Sequence, residues 1–152
     1  MASFPSGVTV VTTTDAAGQH WGFTATSFCS LSMSPPLVLV CLANSAECHP
    51  VFSDSAAWII HILPKQLADV AMRFATRGID KFADTEFRLS DQNLPVIANT
   101  SATLHCTRYS THDGGDHTIF VGQVDRVEQG MGAPAVYFRR EFHSVGAERQ
   151  DH

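Results

Sequence analysis

Three groups of side chains in this sequence have types and spacings that could do chemistry. The first is Thr24-Ala25-Thr26-Ser27-Phe28-Cys29-Ser30, followed by Leu31-Ser32-Met33-Ser34-Pro35-Pro36. Hydroxyls cluster there where an apolar strand gives way to a loop. Hydroxyls beside open backbone N–H groups can meet a phosphate or the polar edge of a heterocycle, or simply make turn bonds. The second group is Arg73, Arg77 and Lys81, at i, i+4 and i+8, in a chain with only ten Lys+Arg. A guanidinium fork binds phosphate through two parallel bonds, although cations here would equally complement a helix C-terminus. The third is Gly115-Asp116-His117-Thr118, a turn entering a strand, with Tyr137-Phe138-Arg139-Arg140 further on. A His at a turn–strand junction can face a ligand or stand in solvent.

Other chemistries leave no mark. There is no H-E-x-x-H, no C-x-x-C, no G-x-S-x-G elbow and no phosphate-binding glycine spacing. Cys48-His49 and His105-Cys106 are adjacent pairs, and adjacent residues in a strand point to opposite faces. No metal site is therefore expected. Cys29, Cys41, Cys48 and Cys106 form no framework and fit reduced thiols, with Cys41 and Cys106 as small buried apolar residues in strands.

The elements that must position these groups are mostly strands. Gly7–Thr14 is rich in β-branched residues, Asp15–Gln19 is a turn, and His20–Phe28 returns as the second arm of a hairpin. Met33–Pro36 interrupts the chain. Leu37–Leu42 and Ala57–Leu63 are continuous apolar runs, expected to be strands buried on both faces. Pro64 opens a helix whose stripe is Leu67, Val70, Ala71 and Phe74, with Gly78 as its end. Arg73 and Arg77 would then share a helix face, with Lys81 just beyond. Phe82–Asn99 reads as irregular. Ala102–Tyr109, His117–Val127 and Pro134–Arg139 are three further strands, the first two joined by the turn Asp113–Asp116. Six or seven strands with one or two helices, not alternating, predict a mainly β fold: a closed antiparallel barrel or a sandwich.

The chain has 152 residues, the length of one domain, so residues 1–152 are taken as a single unit. It is 44% hydrophobic and 16% charged, which excludes intrinsic disorder. A net charge of −5 argues against nucleic acid as a partner. No apolar run reaches the roughly 18 residues that span a bilayer, and the N-terminus carries no secretory pattern, so a cytoplasmic protein is expected. Few charges and a high apolar content fit a chain that buries part of its surface in an oligomer.

Taken together and in order, these segments resemble the short-chain flavin reductase family, the reductase partners of two-component flavin monooxygenases. The resemblance is carried by Phe4-Pro5-Ser6-Gly7-Val8-Thr9-Val10-Val11-Thr12-Thr13, by Gly22-Phe23-Thr24-Ala25-Thr26-Ser27-Phe28 and by Leu31–Cys41. Arg73-Phe74-Ala75 with Asp80-Lys81-Phe82-Ala83, Gly115–Gly122 and Tyr137–Arg140 complete it, so that it runs from Phe4 to Phe142. It implies an FMN-binding split β-barrel of Greek-key antiparallel topology, a homodimer with flavin sites near the subunit interface. It implies hydride transfer from NADH or NADPH to FMN or FAD, the reduced flavin passing to a partner monooxygenase. By position, Thr26, Ser27, Phe28 and Cys29 would line the isoalloxazine and ribityl chain. Asn44, Ser45 and Cys48 would meet the ribityl–phosphate end. Arg77, Lys81 and Phe82 would hold phosphate or the adenylate side. His117 would position the nicotinamide, and Tyr137, Phe138, Arg139 and Arg140 would meet the nicotinamide nucleotide.

The sequence departs from the family in two places. Family members carry a further helix before the first strand, and this sequence starts almost at that strand, whether trimmed or natively short. Glu47 also puts an anion where a phosphate is expected, which repels unless the side chain turns away. Two other classes stay open on the residues alone: a flavin carrier without NAD(P)H turnover, and a haem-binding split barrel using one of the eight histidines.

Overall fold

The computed structural model describes residues 2–146, and the structural statements below concern those residues. Strand β1 (Ser6–Gly7) is followed by the hairpin β2 (Thr9–Thr14) and β3 (His20–Ala25), then by the hairpin β4 (Cys29–Met33) and β5 (Pro36–Ala43). A short helix α1 (His49–Asp54) leads to β6 (Ala57–Ile62), and a 3-10 turn at Lys65–Leu67 runs into α2 (Ala68–Phe74). The remainder is three hairpins: β7 (Phe87–Leu89) with β8 (Pro95–Ile97), β9 (Ala102–Gly114) with β10 (His117–Gln129), and β11 (Ala135–Phe138) with β12 (Glu141–Ser144).

Seven strands form one antiparallel sheet in the order β3-β2-β6-β9-β10-β5-β4. Consecutive strands β5 and β6 are separated by the β9–β10 hairpin, the long-range crossing that a Greek key requires. The sheet curls on itself. Phe23 and Ala25 of β3 share a core with Val38, Val40 and Leu42 of β5, which lie near its other end. The expected mainly β split barrel is what forms.

The β2 sequence shows why. Val11 points into that core, whereas Val8 and Val10 point to the other face, against Leu63, Val70, Ala71 and Phe74. Alternate residues of a strand serve opposite faces, so α2 covers one side of the sheet while the barrel fills the other. Thr9, Thr12 and Thr13 are buried as well, and their hydroxyls donate to the carbonyls of Ala25, Pro95 and Ala57. His61 is fully buried: Nδ1–H donates to Val10 O at 2.8 Å and Nε2 accepts from Ile97 N–H at 3.0 Å. These bonds fix its tautomer and tie β2, β6 and β8 together.

Several sequence expectations are corrected. The hydroxyl-rich stretch after Ser27 is an edge strand, β4, rather than a loop. Strand β5 is not buried along both faces: Val38, Val40 and Leu42 are buried, whereas Leu39 and Cys41 on the other face are half-open. Cys41 is therefore not a core residue, whereas Cys106 is 3% exposed and burial pushes its thiol up to about 12. Helix α2 stops at Phe74 with Ala75 as its cap, and Gly78 (φ 76°) serves the turn that follows. Arg77 lies beyond the helix and shares no face with Arg73. Phe82–Asn99 contains the β7–β8 hairpin. Helix α1 and β12 carried too few residues for periodicity to register.

Candidate functional site

A cavity of about 830 Å³ opens between β3, the β5–α1 loop and the loop after α2. Gly22 of β3 forms part of its wall. The chain needs a close approach there, because Phe74 of α2 packs on the bare Cα of that residue. Trp21 and His20 continue this wall, and the Trp21 indole donates to Asp15 at 2.9 Å. Phe82 closes one end through edge-on contacts with Phe74 and His20, at 5.1 and 5.7 Å between centroids.

Two cations reach across the mouth. Arg77 Nη2 donates to the Ser45 carbonyl at 2.6 Å, and Lys81 Nζ donates to the Gly22 carbonyl at 3.3 Å. They link the loop after α2 to both opposite walls. Arg73 faces elsewhere, donating to Asp84 O and Thr85 Oγ1 and pairing with Asp69 at 3.6 Å. Of the three cations singled out in the sequence, two line the cavity and one is structural.

The β5–α1 loop is held by its own polar network. Asn44 Nδ2 donates to Gly115 O at 3.1 Å, and Asn44 N–H donates to Asp116 O at 2.9 Å. Thr118 Oγ1–H donates to Asn44 Oδ1 at 2.7 Å, so its oxygen is left to accept from His49 Nε2–H at 2.9 Å. Asn44 and His49 thereby lock the loop to the β9–β10 turn. Beyond them, Cys48 is buried on the cavity wall. Burial raises its thiol pKa, the nearby Glu47 charge adds to that, and Lys81 opposes it. The side chain stays a neutral thiol.

Of the sequence-predicted site residues, Cys48, Arg77, Lys81 and Phe82 line the cavity, and Ser45 borders it through Arg77. Thr26 and Ser27 stand exposed where β3 ends, and Cys29 stands exposed on the edge strand β4. Ser27 Oγ accepts from Cys41 N–H at 2.9 Å, which holds this connection against β5, and Phe28 packs on the core. His117 sits at the start of β10 with Nδ1 2.7 Å from Asp116, whose carboxyl it holds below the usual range. Tyr137, Phe138, Arg139 and Arg140 are not brought to this cavity within one chain. Tyr137 packs with Phe142 on the α2 side of the sheet, at 5.2 Å between centroids. Arg139 and Arg140 form the turn between β11 and β12, both at positive φ (50° and 64°). Sequence reasoning missed Gly22, Trp21 and His20 as cavity wall. A glycine inside the strand pattern of His20–Phe28 was the available signal.

A second charged cluster lies apart from the cavity. Glu128 accepts from Arg88, Arg126 and His105. Partial burial would raise its pKa, but the hydrogen bonds from Arg88, Arg126 and His105 outweigh it and hold the carboxyl at about 2. Its partners are internal, so it ties the β7–β8 hairpin to β10. Among the described residues, no three His, Cys, Asp or Glu side chains converge as a metal site.

The pattern of the flavin reductase like domain matches residues 1–146, nearly the whole chain. This chain belongs to that family. It is 43% identical over 146 residues to an actinorhodin polyketide dimerase from Streptomyces coelicolor, covering 95% of this chain and 82% of that one. It is 41% identical over 137 residues to the FMN reductase (NADH) SmoA of Agrobacterium fabrum, covering 90% and 78%. Among solved structures it is similar to the NADH:FAD oxidoreductase SgcE6 of Streptomyces globisporus, in complex with NAD and FAD fragments. The TM-score is 0.90 at 32% identity, covering 99% of this chain and 90% of that one. No helix among the described residues is long and apolar enough to cross a membrane.

Proposed function

We propose that this protein is an NADH-dependent flavin reductase in which the 830 Å³ cavity takes the ribityl–phosphate part of FMN or FAD. The observation that carries this placement is the pair of cations, Arg77 and Lys81, held at the mouth of an aromatic-walled cavity. The volume lies within the roughly 300–1,000 Å³ of cofactor sites. Phosphate oxygens suit Arg77 and Lys81, and ribityl hydroxyls suit the carbonyls of Ser45 and Gly22 to which those cations now donate. A bound flavin supplies a ring that accepts hydride from the nicotinamide. The protein contributes orientation and a shielded wall: Phe82 and Trp21 exclude water from one side, and the exposed stretch Thr26–Cys29 offers hydroxyls and N–H groups to the ring's polar edge. His117 and Tyr137–Arg140 take the nicotinamide nucleotide.

Thr26–Cys29 and Tyr137–Arg140 lie outside the cavity of the single chain, and Leu31 and Met33 of β4 are 52% and 93% exposed beside the half-open Leu39 and Cys41. A homodimer that covers this face completes the site. Four free cysteines suit a reducing cytoplasm, and a flavin-dependent monooxygenase is the consumer of the reduced flavin. The test is steady-state oxidation of NADH and NADPH by dialysed protein with riboflavin, FMN or FAD added. Flavin-dependent turnover with NADH is expected. Tight flavin binding without turnover would make the protein a carrier.

A further inference from the structure

We propose that Glu47 sets the preference between phosphorylated and unphosphorylated flavins, by offsetting Arg77 and Lys81 at the same cavity. The inference rests on this cavity being the flavin site. Four formally charged side chains line it: Arg77 and Lys81 against Glu47 and Asp80. The formal charges that line the cavity therefore cancel, and the two carboxylates oppose the cations that would meet a phosphate.

The two carboxylates are not equivalent. Asp80 is turned to its own backbone, where Oδ1 accepts from Phe82 N–H at 3.1 Å. Glu47 is exposed and takes part in no hydrogen bond or ion pair among the described residues. The loop that carries it is fixed on both sides, with Ala46 N–H donating to Ala43 O at 3.0 Å and His49 N–H donating to Ala46 O at 3.1 Å. Its backbone is therefore held at the cavity wall next to Cys48, where the charges of Glu47 and Lys81 act on the same thiol with opposite sign. The cations are also engaged already, Arg77 with Ser45 O and Lys81 with Gly22 O.

A phosphate monoester brings nearly two negative charges at neutral pH. Glu47 repels it, and Arg77 and Lys81 must give up carbonyl partners to meet it. Riboflavin brings a terminal hydroxyl that can donate to the Glu47 carboxylate, at no charge cost. One exposed carboxylate several ångströms from a phosphate, at near-surface dielectric, changes affinity by about three- to tenfold.

The experiment measures dissociation constants for riboflavin and FMN by flavin fluorescence on wild type, Glu47→Gln and Glu47→Asp. Wild type should bind the two flavins within about threefold of each other. Glu47→Gln should tighten FMN by about three- to tenfold, leave riboflavin unmoved, and lose most of that gain at about 0.5 M salt. Glu47→Asp keeps the charge and should keep the wild-type ratio. Equal shifts for both flavins in Glu47→Gln, or none, would overturn the role of Glu47 while leaving the cavity as the flavin site. Absence of flavin binding in all three proteins would overturn the placement and the inference together.

Discussion

A methyl group on Gly22 would lie 2.6 Å from Cε1 of Phe74, closer than any packed carbon can stand. The aromatic ring of α2 thus occupies the volume that a side chain on β3 would need. The relationship reaches the site, because Phe74 precedes the loop that carries Arg77 and Lys81, and Lys81 donates to the carbonyl of Gly22 itself. Gly22→Ala should cost about 1–3 kcal/mol of stability, the usual range for overpacking. It should also loosen flavin binding by displacing the loop. Urea unfolding checks the first effect and flavin titration the second. Unchanged values for both would mean that Phe74 shifts without consequence.

Arg77 gives a cleaner electrostatic test, because it is exposed and lies beyond α2. Its guanidinium donates to Ser45 O, so removing it costs one surface bond and leaves the core intact. Arg77→Ala should weaken FMN by about tenfold, one charge-assisted bond to phosphate, and leave riboflavin almost unchanged. Fluorescence titration with both flavins separates the phosphate role from a folding defect, which would weaken both.

The stability of the fold should depend on pH through His61. Its neutral ring is enclosed between Val10 O and Ile97 N–H, and burial lowers its pKa from 6.5 to about 4. Above about pH 6.5 neither the folded nor the unfolded chain protonates this ring, and its full contribution is present. As pH falls from 6.5 toward 4, the unfolded chain takes a proton that the folded chain refuses, so stability drops by about 3 kcal/mol across that window. Glu128 acts in the same direction at lower pH, losing its contribution as pH falls from 4.5 toward about 2. Urea midpoints measured from pH 8 to pH 4 should fall mainly below pH 6.5. A flat profile there would show that unfolded-state effects mask the histidine.

The sequence made the barrel legible wherever strands were long or β-branched. Val8, Val10 and Val11 announced a strand, and Leu67, Val70, Ala71 and Phe74 announced an amphipathic helix. What was not legible depended on contacts distant in the chain. Ser30 and Ser32 look like loop residues until β5 gives them a partner, and Leu39 and Cys41 look buried until the open outer face of β5 is seen. Phe87–Leu89 and Pro95–Ile97 are three-residue strands, too short for periodicity to register. At the site, Arg77 and Lys81 were visible as a concentration of charge. The bonds that aim them run to backbone carbonyls of Ser45 and Gly22, and backbone acceptors leave no trace in residue types.

The turn between β11 and β12 brings strain and the nicotinamide proposal to one place. Phe138 pairs with Glu141, so Arg139 and Arg140 are the whole loop of a two-residue hairpin, both in the left-handed region. Such turns favour Asn-Gly, and a side chain at positive φ costs about 1 kcal/mol relative to Gly. Strain of this kind persists where the side chain has another use. Arg139 lies over the Phe138 ring at 4.9 Å, and its N–H donates to Ala2 O at 2.7 Å, so the neighbouring residue is anchored. Arg140 has no such anchor among the described residues. Arg140→Gly should therefore raise stability by about 1 kcal/mol, a gain of about 3 °C in Tm for a chain of this size. If Arg140 meets the pyrophosphate of the nicotinamide nucleotide, the same variant should raise KM for NADH by about three- to tenfold with kcat little changed. Arg140→Lys keeps the charge and should recover part of the KM without the gain in Tm. A stabilised Arg140→Gly with unchanged KM for NADH would remove this turn from the nucleotide site.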